Sequence, residues 1–248
     1  GNGPLHVSDL RHTNPLSHAF IEAGRQAGYA VNRDFNGPAQ EGFGLYQVTQ
    51  KDGGRCSSAV AYLHPVRSRA NLHVVTGAMV NRITFDRSGG VPRANGVTYT
   101  AGGKAFHQAT RREVLLSGGA INSPQLLMLS GVGPATELRR HGIDVMVDAP
   151  EVGGNLQDHL DVCTLYHSTQ RVTYDRLSDL KVAFDYYLRG HSGAGSSNIA
   201  EAGAFIRSRH APDARPDIQM HFVPAMLDDH GRHRLAGDGF TVHACFLR

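Results

Sequence analysis

Gly118-Gly119-Ala120-Ile121-Asn122-Ser123-Pro124-Gln125-Leu126-Leu127-Met128-Leu129-Ser130-Gly131-Val132-Gly133 is the stretch on which the fold turns. An apolar run, Val114-Leu115-Leu116, precedes it, and Pro134 follows. A short apolar run bounded by polar residues and glycines predicts a buried strand. Two glycines allow a tight turn and close approach to a ligand. Ser123-Pro124 predicts a helix start, with a hydroxyl cap and proline at the first helical position. Leu126, Leu127, Met128 and Leu129 are apolar all round, so the helix is expected to be buried. Gly131 and Gly133 end it. Such an arrangement sets a helix N-terminus, with its free N–H groups and positive dipole end, beside a phosphate or dinucleotide.

Working outward, 248 residues hold one large domain or two small ones. A hydrophobic content of 40% with 29 glycines implies a globular chain rich in turns. The formal charge of +3 is spread along the sequence, which makes nucleic acid a poor partner. Cys56, Cys163 and Cys245 are far apart and form no CxxC pair. They indicate neither a disulfide framework nor a zinc site and suit a reducing, cytoplasmic compartment. No apolar run approaches the ~18 residues of a membrane span. The N-terminus lacks a signal-peptide pattern.

Asn14 or Thr13, followed by Pro15, predicts a helix running to Gly28. Residues 29 to 57 read as loop. Asn71–Thr76 and Met79–Phe85 are strand candidates, and Gly96–Thr100 with Ala105–Thr110 form a hairpin around Gly102-Gly103. A helix over 135–141 and a strand over 145–147 follow. Beyond about residue 150 the character changes. Val162–His167, Ala202–Ile206, Ile218–Val223 and Phe240–Phe246 read as strands, and Leu177–Leu188 as an amphipathic helix. The expected fold class is α/β plus α+β: a Rossmann-like layer over residues 1–160 and an antiparallel-sheet domain over 161–248.

Several motifs fall into one order. Asp34-Phe35-Asn36-Gly37 and Gln40-Glu41-Gly42-Phe43-Gly44 come first, then Arg55-Cys56-Ser57-Ser58-Ala59 and Asn71-Leu72. The opening stretch and Val152-Gly153-Gly154-Asn155-Leu156-Gln157-Asp158-His159 complete them. Together they resemble the glucose–methanol–choline (GMC) family of flavin oxidoreductases, with the opening stretch similar to the family's second signature. Thr49-Gln50-Lys51 and Asp228-Asp229-His230-Gly231-Arg232 look most like members that oxidise aliphatic or polyether primary alcohols, with choline dehydrogenases close behind.

The resemblance implies FAD as cofactor, a small-molecule alcohol as substrate, and a quinone, a dye or oxygen as electron acceptor. It also implies that the GxGxxG unit precedes Gly1 and that the catalytic histidine pair follows Arg248. The chain is therefore expected to be the middle of such an enzyme, inactive alone, with self-association through its cut edges. A peripheral inner-membrane location of the parent goes with that reading. The alternatives are an inert fragment that binds no cofactor and a redox-silent FAD-containing lyase.

The resemblance also assigns residues. Val80 becomes the strand residue whose backbone faces adenine; by itself it is an apolar strand residue suited to core packing. Ser117, Gly118 and Gly119 would lie against FAD; by themselves they form an ordinary strand–helix turn. Asn155 and Asp158 stand near the flavin or at a domain hinge, or else form an Asx-type turn and helix cap. Glu201 would contact the substrate, or else make a strand-edge ion pair with an arginine. His221, Phe222, Pro224 and Met226 line the same cavity or pack in the core. No metal site is expected: Asp228-Asp229-His230 with His233 lies in a loop without fixed ligand geometry. Cys56 lacks the partners of a nucleophile.

Overall fold

The computed structural model describes residues 3–228 and 232–247. In chain order the principal elements are α1 (Pro15–Gln26), β1 (Gly42–Leu45), β2 (Ala78–Asp86), β3 (Arg93–Ala101), β4 (Lys104–Ala109), α2 (Gly119–Leu129) and β5 (Val132–Gly133). Then come α3 (Ala135–Arg140), β6 (Val147–Asp148), β7 (Leu160–His167), α4 (Asp179–Leu188), β8 (Ala202–Ile206), β9 (Ile218–Val223) and β10 (Gly239–Phe246). They fall into two compact units, residues 1–69 with 159–248, and residues 70–158. The division falls between Asp158 and His159. Among the described residues no helix is long and apolar enough to cross a membrane.

The first unit is built on a five-stranded antiparallel sheet, in the order β1-β8-β9-β10-β7. The strands expected over 202–206, 218–223 and 240–246, the last two roughly alternating, form its centre. Helix α1 covers one face. Asn14 caps it by accepting the Leu16 N–H at 2.9 Å, and Pro15 opens it where a missing N–H costs nothing. Its Phe20 stacks on Phe222 at 4.9 Å between ring centroids and meets Phe43 at 5.1 Å. Phe43, Ala204 and Ile206 form the core there, with Ile21, Ile218 and Met220 against them.

Strand β1 lies in the segment expected to be loop. Glycine is a weak strand former, so Gly42-Phe43-Gly44-Leu45 carries little local signal. Tertiary contact supplies the reason for it. A Cβ on Gly44 would stand 2.0 Å from the Asn32 carbonyl oxygen, and one on Gly42 2.7 Å from that of Ala30. Only glycines let residues 30–32 cross this edge.

In the second unit β2, β3 and β4 form a three-stranded antiparallel sheet. Gly102 and Gly103, both at positive φ, make the expected hairpin turn. Asn71–Thr76 is not a strand. Strands β5 and β6 make one short parallel pair. Two readings of the opening stretch change. Helix α2 begins at Gly119, so Pro124 lies inside it and Ser123 is not its cap. Ser123 instead reaches back and accepts the Gly118 N–H at 3.0 Å. None of its residues is buried, and Ile121 is 66% exposed. One side packs on β2, and Met128 fits against Gly133, where a Cβ would stand 2.8 Å from its Cγ. Pro124 and Met128 lie against the turn at Gly153. Val114-Leu115-Leu116 is extended but forms no ladder, and Leu115 is 80% exposed.

Candidate functional site

Within the second unit a cavity of about 640 Å³ opens where the start of β2 meets the turn before α2. Ala78, Met79 and Val80 form one wall, Val114 to Gly118 the next, and Asn122, Ser123, Gln125, Leu126 and Leu129 of α2 another. Strand β2 is at the edge of its sheet, so one side of its backbone has no strand beside it. Farther along, that side is occupied: Ser130 Oγ accepts the Ile83 N–H at 2.8 Å, and Arg82 Nε donates to the Leu129 carbonyl at 3.0 Å. At Val80 it faces the cavity. A bulge between Val80 and Arg82 loosens the ladder there.

Across the cavity Gly118 adopts helical angles and Gly119 a φ of +84°, which needs glycine. The first N–H groups of the 11-residue α2 start from this turn. Val80, Ser117 and Gly118 therefore line one cavity, with Gly119 next in chain. Val80 is 40% exposed, so core packing does not occupy it. Asn155 and Asp158 lie apart from the cavity, in an exposed loop. Asn155 takes a φ of +51°, a conformation asparagine tolerates. Its side chain accepts from Gln157 Nε2 at 3.1 Å.

In the first unit Glu201 is fully buried. Its Oε2 accepts the Asn14 N–H at 2.6 Å and the Ser17 hydroxyl at 2.7 Å. Its Oε1 accepts the Ser197 hydroxyl at 2.6 Å and that of Tyr174. No arginine pairs with it among the described residues. Burial, then the hydrogen bond to Glu201, pushes the Tyr174 phenol above its ordinary range. Ile199, two residues before Glu201, sits at φ +67°, strained for a β-branched residue, and its N–H is held by Ser197 Oγ at 2.9 Å.

Phe222, Pro224 and Met226 are buried in the core. His221 is half-buried on the sheet, its ring 5.3 Å from that of Tyr46. Burial, then the nearby His243, lowers its pKa. Tyr46 lies across the sheet because Gly203 has no side chain: a Cβ there would stand 2.2 Å from the Tyr46 hydroxyl oxygen. That hydroxyl donates to the Met220 carbonyl at 2.8 Å and accepts from Gln219 Nε2 at 3.2 Å. Strand register aligns His221, His243 and Cys163 in one row, with Asp161 beside them. Sequence reading missed this cluster, since 80 residues separate Cys163 from His243 and only strand pairing joins them. Asp229 and His230 of the loop that was read as a poor metal cage lie outside the described residues.

A glycine turn opening a helix beside an edge strand is an arrangement suited to holding a nucleotide. Residues 2–161 match the family model for the GMC oxidoreductase N-terminal domain, and the chain belongs to the GMC oxidoreductase family. It is 46% identical to an alcohol dehydrogenase [acceptor] of Pseudomonas putida, over 99% of this chain and 45% of that protein. It is 45% identical to the mitochondrial choline dehydrogenase of Mus musculus, over 100% of this chain and 41% of that protein. Among solved structures, a formate oxidase of Aspergillus oryzae RIB40, studied for the modification of its FAD, superposes with a TM-score of 0.87 at 24% identity. That match covers 99% of this chain and 47% of the oxidase. A pyridoxine 4-oxidase from Mesorbium loti gives 0.79 at 26%, over 99% of this chain and 44% of that one. The chain thus spans about half the length of the relatives it matches.

Proposed function

We propose that the chain is the middle portion of an FAD-dependent oxidoreductase that oxidises the CH–OH group of a primary alcohol to the aldehyde. Aliphatic or polyether alcohols and choline are the candidate substrates. The observation that carries the reading is the cavity shared by Val80, Ser117 and Gly118. Its donors and surfaces fit the adenosine half of FAD. Val80 lines the cavity on an edge strand, where a backbone N–H and C=O would match adenine's own donor and acceptor. Gly118 and Gly119 let the ligand approach the backbone closely. The start of α2 directs N–H groups and the positive end of its dipole at a phosphate. Asn155 and Asp158, in the exposed loop that ends the same unit, lie apart from this cavity and would meet another part of the cofactor.

When bound, FAD supplies the hydride acceptor, chemistry no side chain has. The chain's part is to hold and orient. Glu201, with all four donors satisfied, is better suited to fixing the segments around residues 14, 174 and 197 than to meeting a cation directly. The electron acceptor, a quinone, a dye or oxygen, and a cytoplasmic or peripheral inner-membrane location belong to the same proposal.

The test is spectral. The full-length protein that contains this chain should show flavin absorption bands, release FAD on denaturation, and bleach when a primary alcohol is added without oxygen. A protein that holds FAD but never bleaches would be redox-silent, and a colourless one would bind no flavin; either result overturns the proposal.

A further inference from the structure

We infer that Asp161, Cys163 and His243 form a binding site for a borderline-soft divalent metal ion, Zn²⁺ first among them. The site is built by strand pairing. Cys163 on β7 stands opposite His243 on β10, and Asp161 lies two residues before Cys163, on the same face. The Cys163 Sγ is 3.0 Å from His243 Nδ1, and Asp161 Oδ2 is 2.7 Å from that same nitrogen. Sγ and Oδ2 are 3.6 Å apart. All three potential ligand atoms lie within 4.8 Å of one another.

The three groups also hydrogen-bond to one another, the Cys163 thiol donating to Asp161 Oδ2 at 3.6 Å. A ring nitrogen carries either one proton or one lone pair, so Nδ1 makes one strong hydrogen bond. Here two groups, a carboxylate and a thiol, converge on it. The three potential ligand atoms are drawn into one small triangle, the proximity a metal ion requires. The set of thiolate, imidazole and carboxylate matches Zn²⁺, whose bonds to S, N and O run about 2.3, 2.0 and 2.0–2.2 Å. A tetrahedral ion with those bonds needs ligand atoms about 3.3–3.6 Å apart. The observed triangle reaches that with openings of roughly half an ångström, within side-chain torsion.

The strands hold the ligands rigidly: β10 is paired on both sides, by β9 and β7. On ion binding the thiol proton leaves to solvent, so the site carries thiolate, carboxylate and neutral imidazole. Asp161 and Cys163 are exposed, which leaves the fourth position to water or an added ligand. His221 stands on β9 directly beside His243, on the same row, as a further imidazole. This inference is independent of the FAD reading.

Co²⁺ is the probe, added to purified protein first stripped with chelator. The expected result is a thiolate-to-cobalt charge-transfer band and tetrahedral visible bands that saturate at one ion per chain and vanish when Zn²⁺ is added. Cys163→Ser should abolish the charge-transfer band. Asp161→Asn and His243→Gln should each weaken Co²⁺ at least ~10-fold, and Cys56→Ser should leave the spectrum unchanged. Circular dichroism checks that each variant folds, and the exposed Asp161→Asn serves if Cys163→Ser does not. The site is refuted if the wild-type protein shows no thiolate band, if the band survives in Cys163→Ser, or if Asp161→Asn and His243→Gln bind Co²⁺ as tightly as wild type.

Discussion

Replacing Glu201 by glutamine tests whether this carboxylate organises the fold or meets a substrate. Four donors converge on it, two on each oxygen: the Asn14 N–H and Ser17 hydroxyl on Oε2, and the Tyr174 and Ser197 hydroxyls on Oε1. The amide keeps the volume but turns one oxygen into an NH₂, which accepts nothing. Hydroxyls can rotate and accept from it; the Asn14 N–H cannot, so the NH₂ should settle beside Tyr174 and Ser197. Two charge-assisted bonds are then lost or weakened, at about 1–2 kcal/mol each. The expected loss is about 2–4 kcal/mol, a large share of the ~5–15 kcal/mol that holds a domain folded. For a chain of this size each kcal/mol lowers Tm by roughly 2–4 °C. Urea unfolding followed by circular dichroism measures it. A double-mutant cycle with Tyr174→Phe should return a coupling of about 0.5–3 kcal/mol. A Glu201→Gln protein as stable as wild type within ~0.5 kcal/mol, with a raised KM for choline alone, would refute the structural role and restore Glu201 as a substrate contact.

Gly24→Ala sets two effects against each other. Alanine favours the α1 helix by up to ~1 kcal/mol, but its Cβ would stand 2.4 Å from the Phe43 ring. That ring is held between Phe20 and Tyr29, so overpacking at ~1–3 kcal/mol wins, and thermal unfolding should occur at lower temperature. A more stable variant would show that the ring is free to move. Val80→Trp should fill the cavity beside β2 and lower FAD affinity at least ~10-fold, equivalent to about 1.4 kcal/mol, in a flavin titration. Because Val80 is half-exposed, its melting temperature should stay near wild type; unchanged FAD binding would remove the cavity from the account. Burial pushes the Tyr46 phenol up to about 12, from an ordinary value near 10. The folded state therefore keeps a proton that the unfolded chain releases, and stability present below pH ~10 is lost as pH rises towards ~12. Denaturation midpoints over that range should fall less steeply in Tyr46→Phe; parallel curves would place the alkaline titration elsewhere.

The strand 202–206 was legible as a short run of small and apolar residues, buried throughout, and 218–223 by its rough alternation. The hairpin at Gly102-Gly103 was legible from turn chemistry. Strand β1 was not, since two of its four residues are glycines chosen for closeness to residues 30–32 rather than for strand propensity. Val114-Leu115-Leu116 has the composition of a buried strand, yet a strand needs a neighbour, and sequence composition says nothing of that neighbour's place. Proline inside α2 misled in another way. Its N1 preference is strong, but Ser123 binding the Gly118 N–H lets the helix begin one turn earlier. Of the candidate site, Val80, Ser117 and Gly118 line one cavity; the sequence pointed to them through family likeness, not through local chemistry. The partners of Glu201 come from positions 14, 17, 174 and 197, and those of His243 from 161 and 163. No local pattern joins such residues; the antiparallel register does.

The most direct test of the account is anaerobic addition of a primary alcohol to the full protein, watched through its flavin absorbance. The account predicts an oxidised flavin spectrum at the start and its bleaching by an aliphatic or polyether alcohol, or by choline, with aldehyde formed in equal amount. A spectrum that stays oxidised with all three would contradict it.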